Sequence, residues 1–273
     1  MSPQLRPRAF AARTSSTPPP IGINVRSTVA TYCGALDDVR RAYARTDSAK
    51  AAGLKMGDFS YNTGSLRCAT CDGTGQISLD VQFLPDVDIA CPDCRGSRYD
   101  TAAEKIRRPE KGAPDDQALS LPHLLALSVD EALPHIADVK KAHEKLQTLH
   151  DLGLGYLTLG EATPALSGGE AQRLKLASEM GRGQADAVFV FDEPTIGLHP
   201  RDVETLLGVF QRLVEQGATV VVVEHDLDFI ANADYVIDMG PQGGKAGGCI
   251  VACGTPEEIA ANRESITGRY LEI

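Results

Sequence analysis

RCATCDGTGQISLDVQFLPDVDIACPDCRGSRY, residues 67 to 99, holds two Cys-x-x-Cys pairs, Cys68/Cys71 and Cys91/Cys94, with nineteen residues between them. Nothing else in the chain restricts its folding as tightly. Two such knuckles around a short hairpin bring four thiolates into a tetrahedron around one Zn²⁺. Gly73, Gly75 and Gly96 let the backbone turn sharply past each knuckle. With four protein ligands the metal is closed off and structural, having no open position at which to activate water. The competing reading, a redox Cys-x-x-Cys, needs one pair at a helix start in a thioredoxin-like unit. The metal's task would be to hold the stretch Gln76 to Ala90, flanked by Arg67, Arg95 and Arg98. These arginines either meet phosphates or form a solvated rim.

Seven cysteines, four of them in the two pairs, fit a reducing compartment better than a disulfide scaffold. Apolar residues make up 42% of the 273, enough for one large or two modest domains. The formal charge of −10 argues against a surface that coats DNA generally, while leaving room for a local basic patch. Aromatics at 5% and the absence of tryptophan speak against extensive base stacking. No apolar run reaches the length of a membrane span and no apolar signal core opens the sequence. The expectation is a cytoplasmic chain with no membrane partner.

Residues 1 to 20 are rich in Pro, Ser and Arg without periodicity and are expected to be disordered. From Tyr32 to Lys50 the spacing of Leu36, Val39 and Tyr43 predicts helix. RRPEKGAPDD, residues 107 to 116, reads as a charged surface loop. LSVDEAL opens a helix with a capping box on Ser128 and Glu131. After Gly160 the texture changes. AVFVFDE and ATVVVVEH are continuous apolar runs, typical of strands buried on both faces of a parallel sheet. Between them PRDVETLLGVFQRLVEQG predicts an amphipathic helix ended by Gly217. YVIDMG and CIVACG look like further strands, and TPEEIAAN opens a last helix with Thr255 as cap, Pro256 in the first turn and Glu258 third. This order is half of an α/β nucleotide-binding sheet.

Three pieces in this half carry chemistry. LSGGEAQRLKLASEM, Leu166 to Met180, predicts a helix with a glycine-bare N-terminus and apolar positions at Leu174, Ala177 and Met180. Such an end collects anions, because its first N–H groups lack partners and the macrodipole is positive there. SGGE is at the same time a capping box, Ser167 as cap and Glu170 reaching back. Next, AVFVFDEP ends a strand in Asp192-Glu193. In phosphoryl-transfer terms Asp192 would hold Mg²⁺ through its water shell and Glu193 would polarise the attacking water. A bare Asp-Glu before a Pro turn is also a common way to end a strand. Last, Glu224-His225 closes the second apolar run, where an imidazole can reach a γ-phosphate; a lone His at a strand end is more often structural.

Taken in this order, the pieces resemble the second half of an ATP-binding-cassette nucleotide domain. Leu166 to Glu170 matches its signature motif, Asp192 and Glu193 its Walker B, Thr195 to His199 its D-loop region and His225 its switch histidine. LSGGEAQRLKLA, FDEPTIGLHPRD, VEHDLDFIANADYVIDMGP, the zinc cassette with FLPDV, the closing GRYL and IGINVRSTVATYCG narrow the resemblance to the C-terminal half of the bacterial UvrA family, from about Ile21 onward. The resemblance implies an α/β fold: a partial ABC-type P-loop ATPase domain, with a parallel sheet and flanking helices, plus a small zinc-ribbon module and a helical signature region. The boundaries it implies are a disordered arm over 1–20, a helical linker region over 21–66, the zinc module over 67–100, a helical signature-domain segment over 101–160 and the ATPase subdomain over 161–273. It further implies a damage-recognition ATPase of nucleotide excision repair that uses ATP and Mg²⁺ beside the structural zinc. Its partners would be damaged double-stranded DNA, touched by the zinc-held hairpin Gly73 to Ala90, a UvrB-like protein, and a second cassette or a homodimer mate. In that superfamily the signature helix reaches a nucleotide held by the other cassette, so Ser167, Gly168, Gly169 and Glu170 would serve a γ-phosphate bound elsewhere.

The departures from the family pattern are informative. UvrA cassettes carry GxxGxGK[ST] upstream, and no such run occurs here. GPQGGKAG, residues 240 to 247, has the wrong spacing, puts Ala246 where a hydroxyl must reach Mg²⁺ and follows the switch histidine. PPP stands where the Q-loop glutamine is expected. Asp192, Glu193 and His225 would serve the nucleotide of their own cassette, so the isolated chain is expected to bind ATP weakly or not at all and to turn it over negligibly. Three other readings stay open. One is a UvrA-like paralogue linked to drug tolerance. Another is a non-enzymatic zinc-ribbon binding module, since CATCDGTG and CPDCRGSR resemble the CxxCxGxG repeats of chaperone zinc domains, although only two copies are present. The third is a truncated gene product.

Overall fold

The computed structural model describes residues 24–79, 87–109, 118–180, 187–241 and 247–271. The expected disordered arm, residues 83–86 of FLPDV, much of the charged loop 107–116 and most of GPQGGKAG lie outside the described residues. The chain divides after residue 183 into two compact units, so the break falls beyond the signature helix.

In the first unit, the single helical stretch expected from Tyr32 to Lys50 is three pieces: α1 (Val29–Tyr32), α2 (Ala35–Tyr43) and α3 (Asp47–Ala51). Gly34 in the left-handed region separates the first two, and Thr46 starts the third by accepting from the Ala49 N–H. Leu36, Val39 and Tyr43 share the buried face of α2, as their spacing predicts. A short hairpin follows, β1 (Gln76–Leu79) antiparallel to β2 (Val87–Ala90), with Gln76 opposite Ala90. Then come the antiparallel pair β3 (Arg107–Arg108) and β4 (Leu119–Ser120), and the helices α4 (Leu121–Ala126), α5 (Val129–His135) and α6 (Lys140–Asp151). Ser128 and Glu131 form the expected capping box at the head of α5. α6 turns Ala142, Leu146 and Leu149 inward and packs on α2 and α5. The helix that opens on the SGGE run, α7 (Gly168–Glu179), lies against α1 and α6. Leu174, Leu176 and Arg173 are buried on it, while Ala177 and Met180 are half-buried.

The second unit is built on β5 (Val188–Asp192), α8 (Pro200–Glu215) and β6 (Thr219–Val223). The strands are parallel and in register from Val188↔Thr219 to Asp192↔Val223. Val203, Leu206, Val209, Phe210 and Leu213 recur at helical spacing on α8 and are buried. Phe191 stacks on Phe210 at 4.6 Å between ring centroids, and Phe229 of α9 (Leu227–Ala231) meets Phe210 edge-on at 5.6 Å. Gly217, at φ +90°, ends the α8 turn by donating to the Val214 carbonyl. The expectation that both strands are buried on two faces does not hold. Val190, Val221 and Val223 are 60%, 46% and 50% exposed. One helix covers the Phe191 face, and no described element of this unit covers the other. The last two strands, β7 (Val236–Gly240) and β8 (Cys249–Gly254), pair antiparallel, leaving β5–β6 as the parallel ladder among the described residues. α10 (Pro256–Ala261) carries the expected Thr255–Glu258 capping box. Asp238 of β7 accepts from Ser265 Oγ at 2.6 Å and Thr267 Oγ1 at 3.1 Å, tying the closing segment down. No helix among the described residues is long and apolar enough to cross a membrane.

Candidate functional site

The four cysteine sulfurs of the two knuckles lie within 4.8 Å of one another. Cys68 Sγ and Cys91 Sγ are 3.9 Å apart, Cys71 Sγ and Cys94 Sγ 3.6 Å. Four sulfurs at about 2.3 Å from a tetrahedral zinc stand about 3.8 Å from each other, so this donor set fits Zn²⁺. Both knuckles use the same backbone device. Asp72 and Arg95, each following its second cysteine, sit at φ +52° and +51°, and Gly73 and Gly96 continue at +75° and +89°. At Gly73 even the space is taken, since a Cβ would stand 1.7 Å from the Tyr61 carbonyl oxygen. Burial opposes ionisation of Cys71, yet the Gly75 N–H at 3.3 Å and the neighbouring thiols draw its pKa down to about 7. Burial dominates at Cys94 and lifts it to about 12. One thiol is thus readied as a thiolate by its surroundings alone, and a bound cation would draw the others the same way.

The three arginines beside the zinc knuckles are placed differently from one another. Arg98 is 6% exposed, donates to the Val25 carbonyl at 2.9 Å and lies 5.3 Å from the centre of the Tyr61 ring. Burial pulls its pKa down. Its guanidinium braces the module from inside and does not face solvent. Arg67 is half-exposed and bound to Asp72 Oδ1 at 2.8 Å and to the Asn62 carbonyl at 2.9 Å. Arg26, far from the knuckles in sequence and so without a local signal, clamps the other Asp72 oxygen at 2.8 Å. Arg95 alone of the three candidates is exposed with no side-chain partner among the described residues.

At the head of α7, Ser167 Oγ accepts from the Glu170 N–H and Glu170 Oε2 accepts from the Ser167 N–H at 2.6 Å. The Tyr156 hydroxyl holds the other Glu170 oxygen at 2.5 Å. Burial works against ionisation of Glu170, but these donors and the nearby Arg173 charge keep its carboxyl below the usual range. A Cβ on Gly168 would have no atom within 4 Å. The end of the helix is therefore capped and open to approach.

In the second unit the in-register pairing of β5 with β6 brings Asp192, Glu193 and His225 to one pair of strand ends. Asp192 is exposed at the tip of β5. The Glu193 N–H extends the ladder by one bond, donating to the Val223 carbonyl at 2.8 Å. Glu193 is held at φ +47°, a left-handed conformation that costs a non-glycine residue about 1–2 kcal/mol. From there its Oε1 reaches His225 Nε2 at 3.3 Å, with the imidazole 82% exposed. Glu224, the neighbour of His225, ties this loop to the one after β5. Its Oε1 accepts from the Thr195 N–H and its Oε2 from the His225 N–H, both at 2.9 Å, with the Asp226 N–H at 3.4 Å. Burial opposes its ionisation, and these donors more than offset it, so its pKa is lowered. An acid at the end of an apolar run was the available signal; that three N–H groups converge on it needed the fold. The signature residues belong to the first unit, and the carboxylates and His225 to the second.

No protein-family model matches the chain. It is 48% identical over 254 residues to UvrABC system protein A of Bacillus subtilis (strain 168), and 47% identical over 254 residues to that of Staphylococcus aureus (strain COL). Each match takes in 93% of this chain and 26% of the relative, so the chain spans about a quarter of the length of the curated relatives it matches. Its fold matches the crystal structure of UvrA2 from Deinococcus radiodurans with a TM-score of 0.81 at 44% identity, over 92% of this chain and 30% of that one.

Proposed function

We propose that this chain, UvrA-like in sequence and ABC-type in fold, contributes half of a composite ATP site and a DNA-facing zinc module to a damage-recognition ATPase of nucleotide excision repair. The observation that carries the reading is the Glu193–His225 pair, 3.3 Å apart at the ends of two in-register parallel strands. A strained glutamate aimed at an exposed imidazole has little structural purpose and suits the reacting end of a nucleotide. Asp192 would hold Mg²⁺, Glu193 would orient the attacking water and His225 would contact the γ-phosphate. Ser167, Gly168 and Gly169 would meet a nucleotide seated on a second cassette, with Glu170 keeping their helix end in shape. ATP and Mg²⁺ would supply the phosphoryl chemistry. Zn²⁺ on Cys68, Cys71, Cys91 and Cys94 would hold the hairpin that presents Arg95, and secondarily Arg67, to damaged duplex DNA. A UvrB-like protein and a second cassette or a second copy are the partners this reading requires, in the cytoplasm.

The 273 residues contain no GxxGxGK[ST] run, so the chain by itself is proposed to turn over no ATP. Magnesium-dependent hydrolysis by the purified, zinc-loaded chain that disappears in Glu193→Gln would refute this. Adding a second cassette that carries its own phosphate loop should give turnover that depends on Ser167 and Gly168, whereas turnover abolished by Glu193→Gln should require a phosphate-loop segment fused to this chain's own half. Duplex binding that falls steeply with salt and is lost with Cys91→Ser would favour the repair reading over a client-binding zinc ribbon.

A further inference from the structure

Among the described residues, the cysteine knuckles are not the greatest concentration of unpaired positive charge. In the first unit an open basin of about 890 Å³ lies between the end of α2, the segment running through β3, and the start of α6. Among the described residues three acids line it, and each is already matched: Asp38 by Lys145 at 2.9 Å and Arg41 at 2.7 Å, Asp47 by Lys50 at 3.1 Å, and Asp138 by Arg108. Five further cations line the same basin: Arg45, Lys105, Arg107, Lys140 and Lys141. All five are exposed, and none has an ion pair or side-chain hydrogen bond among the described residues. In a chain of net charge −10, the described lining of this concavity carries seven cations against three acids. Their mutual repulsion opposes folding and is relieved by an anion.

We propose that this basin binds the phosphodiester backbone of nucleic acid, as a contact separate from Arg95; the proposal rests on the duplex-binding reading above. The volume exceeds what a single phosphate fills, and the cations come from separate elements around an open rim, as a run of several phosphates requires. No aromatic side chain lines the basin, so it is suited to backbone charge rather than to stacking on bases. Its apolar lining is limited to Ala42, Pro109, Ala118 and Val139, which gives an acidic peptide no large pocket in which to anchor. Phosphates, needing charge and little else, are the better match.

The test is fluorescence anisotropy of the full, zinc-loaded chain with a duplex of about 30 base pairs across a salt series, with polyglutamate as the rival ligand. The variant Arg107→Ala/Lys140→Ala/Lys141→Ala should flatten the slope of log K against log salt by roughly 2–3, and weaken binding at low salt about tenfold or more. Its melting temperature should match the wild type, because all three side chains are exposed. The charge-keeping variant Arg107→Lys/Lys140→Arg/Lys141→Arg should bind as the wild type does. Arg95→Ala should flatten the slope by about 1 on its own. A triple alanine variant with wild-type slope and affinity, while Arg95→Ala keeps its effect, overturns the basin and leaves the zinc-module reading standing. Loss of polyglutamate binding with duplex binding untouched assigns the basin to an acidic protein and likewise overturns the proposal. No duplex binding by the wild-type chain removes both readings.

Discussion

The four-cysteine module and the proposed nucleotide half-site differ in where the reasons for their residues lie. In the zinc module the reasons are internal. Gly73 faces the Tyr61 carbonyl, Gly75 would bring a Cβ to 2.9 Å from the Gly96 carbonyl oxygen, and four sulfurs converge. At the head of α7, Gly168 has open space where a side chain would go, although glycine in a helix is less stable than alanine by about 0.5–1 kcal/mol. The second unit is open in the same way, with Val190, Val221 and Val223 bare on one face of β5–β6. A closed site accounts for itself within the chain. A half-site of the proposed kind would carry residues whose reason lies in a partner.

Removing a zinc ligand breaks the comparison most severely if the closed site is not what it is taken for. Cys91 is fully buried among its three partners. Cys91→Ser should abolish stoichiometric zinc measured by mass spectrometry of the metal content, and destabilise the first unit by at least about 3 kcal/mol in denaturant melts. A variant that keeps one zinc per chain, or melts like the wild type, would show that the four sulfurs are only packed together.

Gly73→Ala comes next. The left-handed backbone and the collision with Tyr61 together predict a loss of roughly 2–5 kcal/mol, read from the same melts, with weakened zinc retention under chelator. The matched change in the half-site, Gly168→Ala, should do the reverse. It should raise stability by at most about 1 kcal/mol while removing the turnover that a phosphate-loop partner restores. If Gly168→Ala leaves that turnover intact, the signature end is merely a capped helix.

These contrasts also mark what the sequence makes legible. The cysteine spacing, the capping boxes at Ser128, Ser167 and Thr255, and the strands that run to Asp192 and to Val223, just before Glu224, are set by local chemistry, and the structure repeats them. Burial of β5 and β6 on both faces was not legible, because an apolar run records the environment a strand is built for and not the elements present to supply it. Arg98 shows the opposite limit. Beside two neighbours of the same type it reads as a phosphate contact, and only the packing of Tyr61 and the Val25 carbonyl around it reveals a brace. Glu224 required the fold as well, since its donors come from Thr195 on one loop and from His225 and Asp226 on another.

Glu224 is also the sharpest exception to the contrast, a residue of the open half-site whose reason is internal, and it gives the smallest effect. Its carboxyl pKa is lowered from an ordinary value near 4.5. A carboxylate whose folded pKa lies below its unfolded one adds stability above the unfolded value and loses it as pH falls through the folded value. The stability difference between wild type and Glu224→Gln should therefore be full at neutral pH and shrink below about 4.5. It should be modest throughout, because the side chain is only half-buried and solvent screens it. Faster amide exchange at Thr195 and His225 in the variant would locate the change in the two loops that the carboxylate joins. A difference that stays constant from neutral pH to pH values near 3 would mean that the charge of Glu224 is not what those N–H groups are holding.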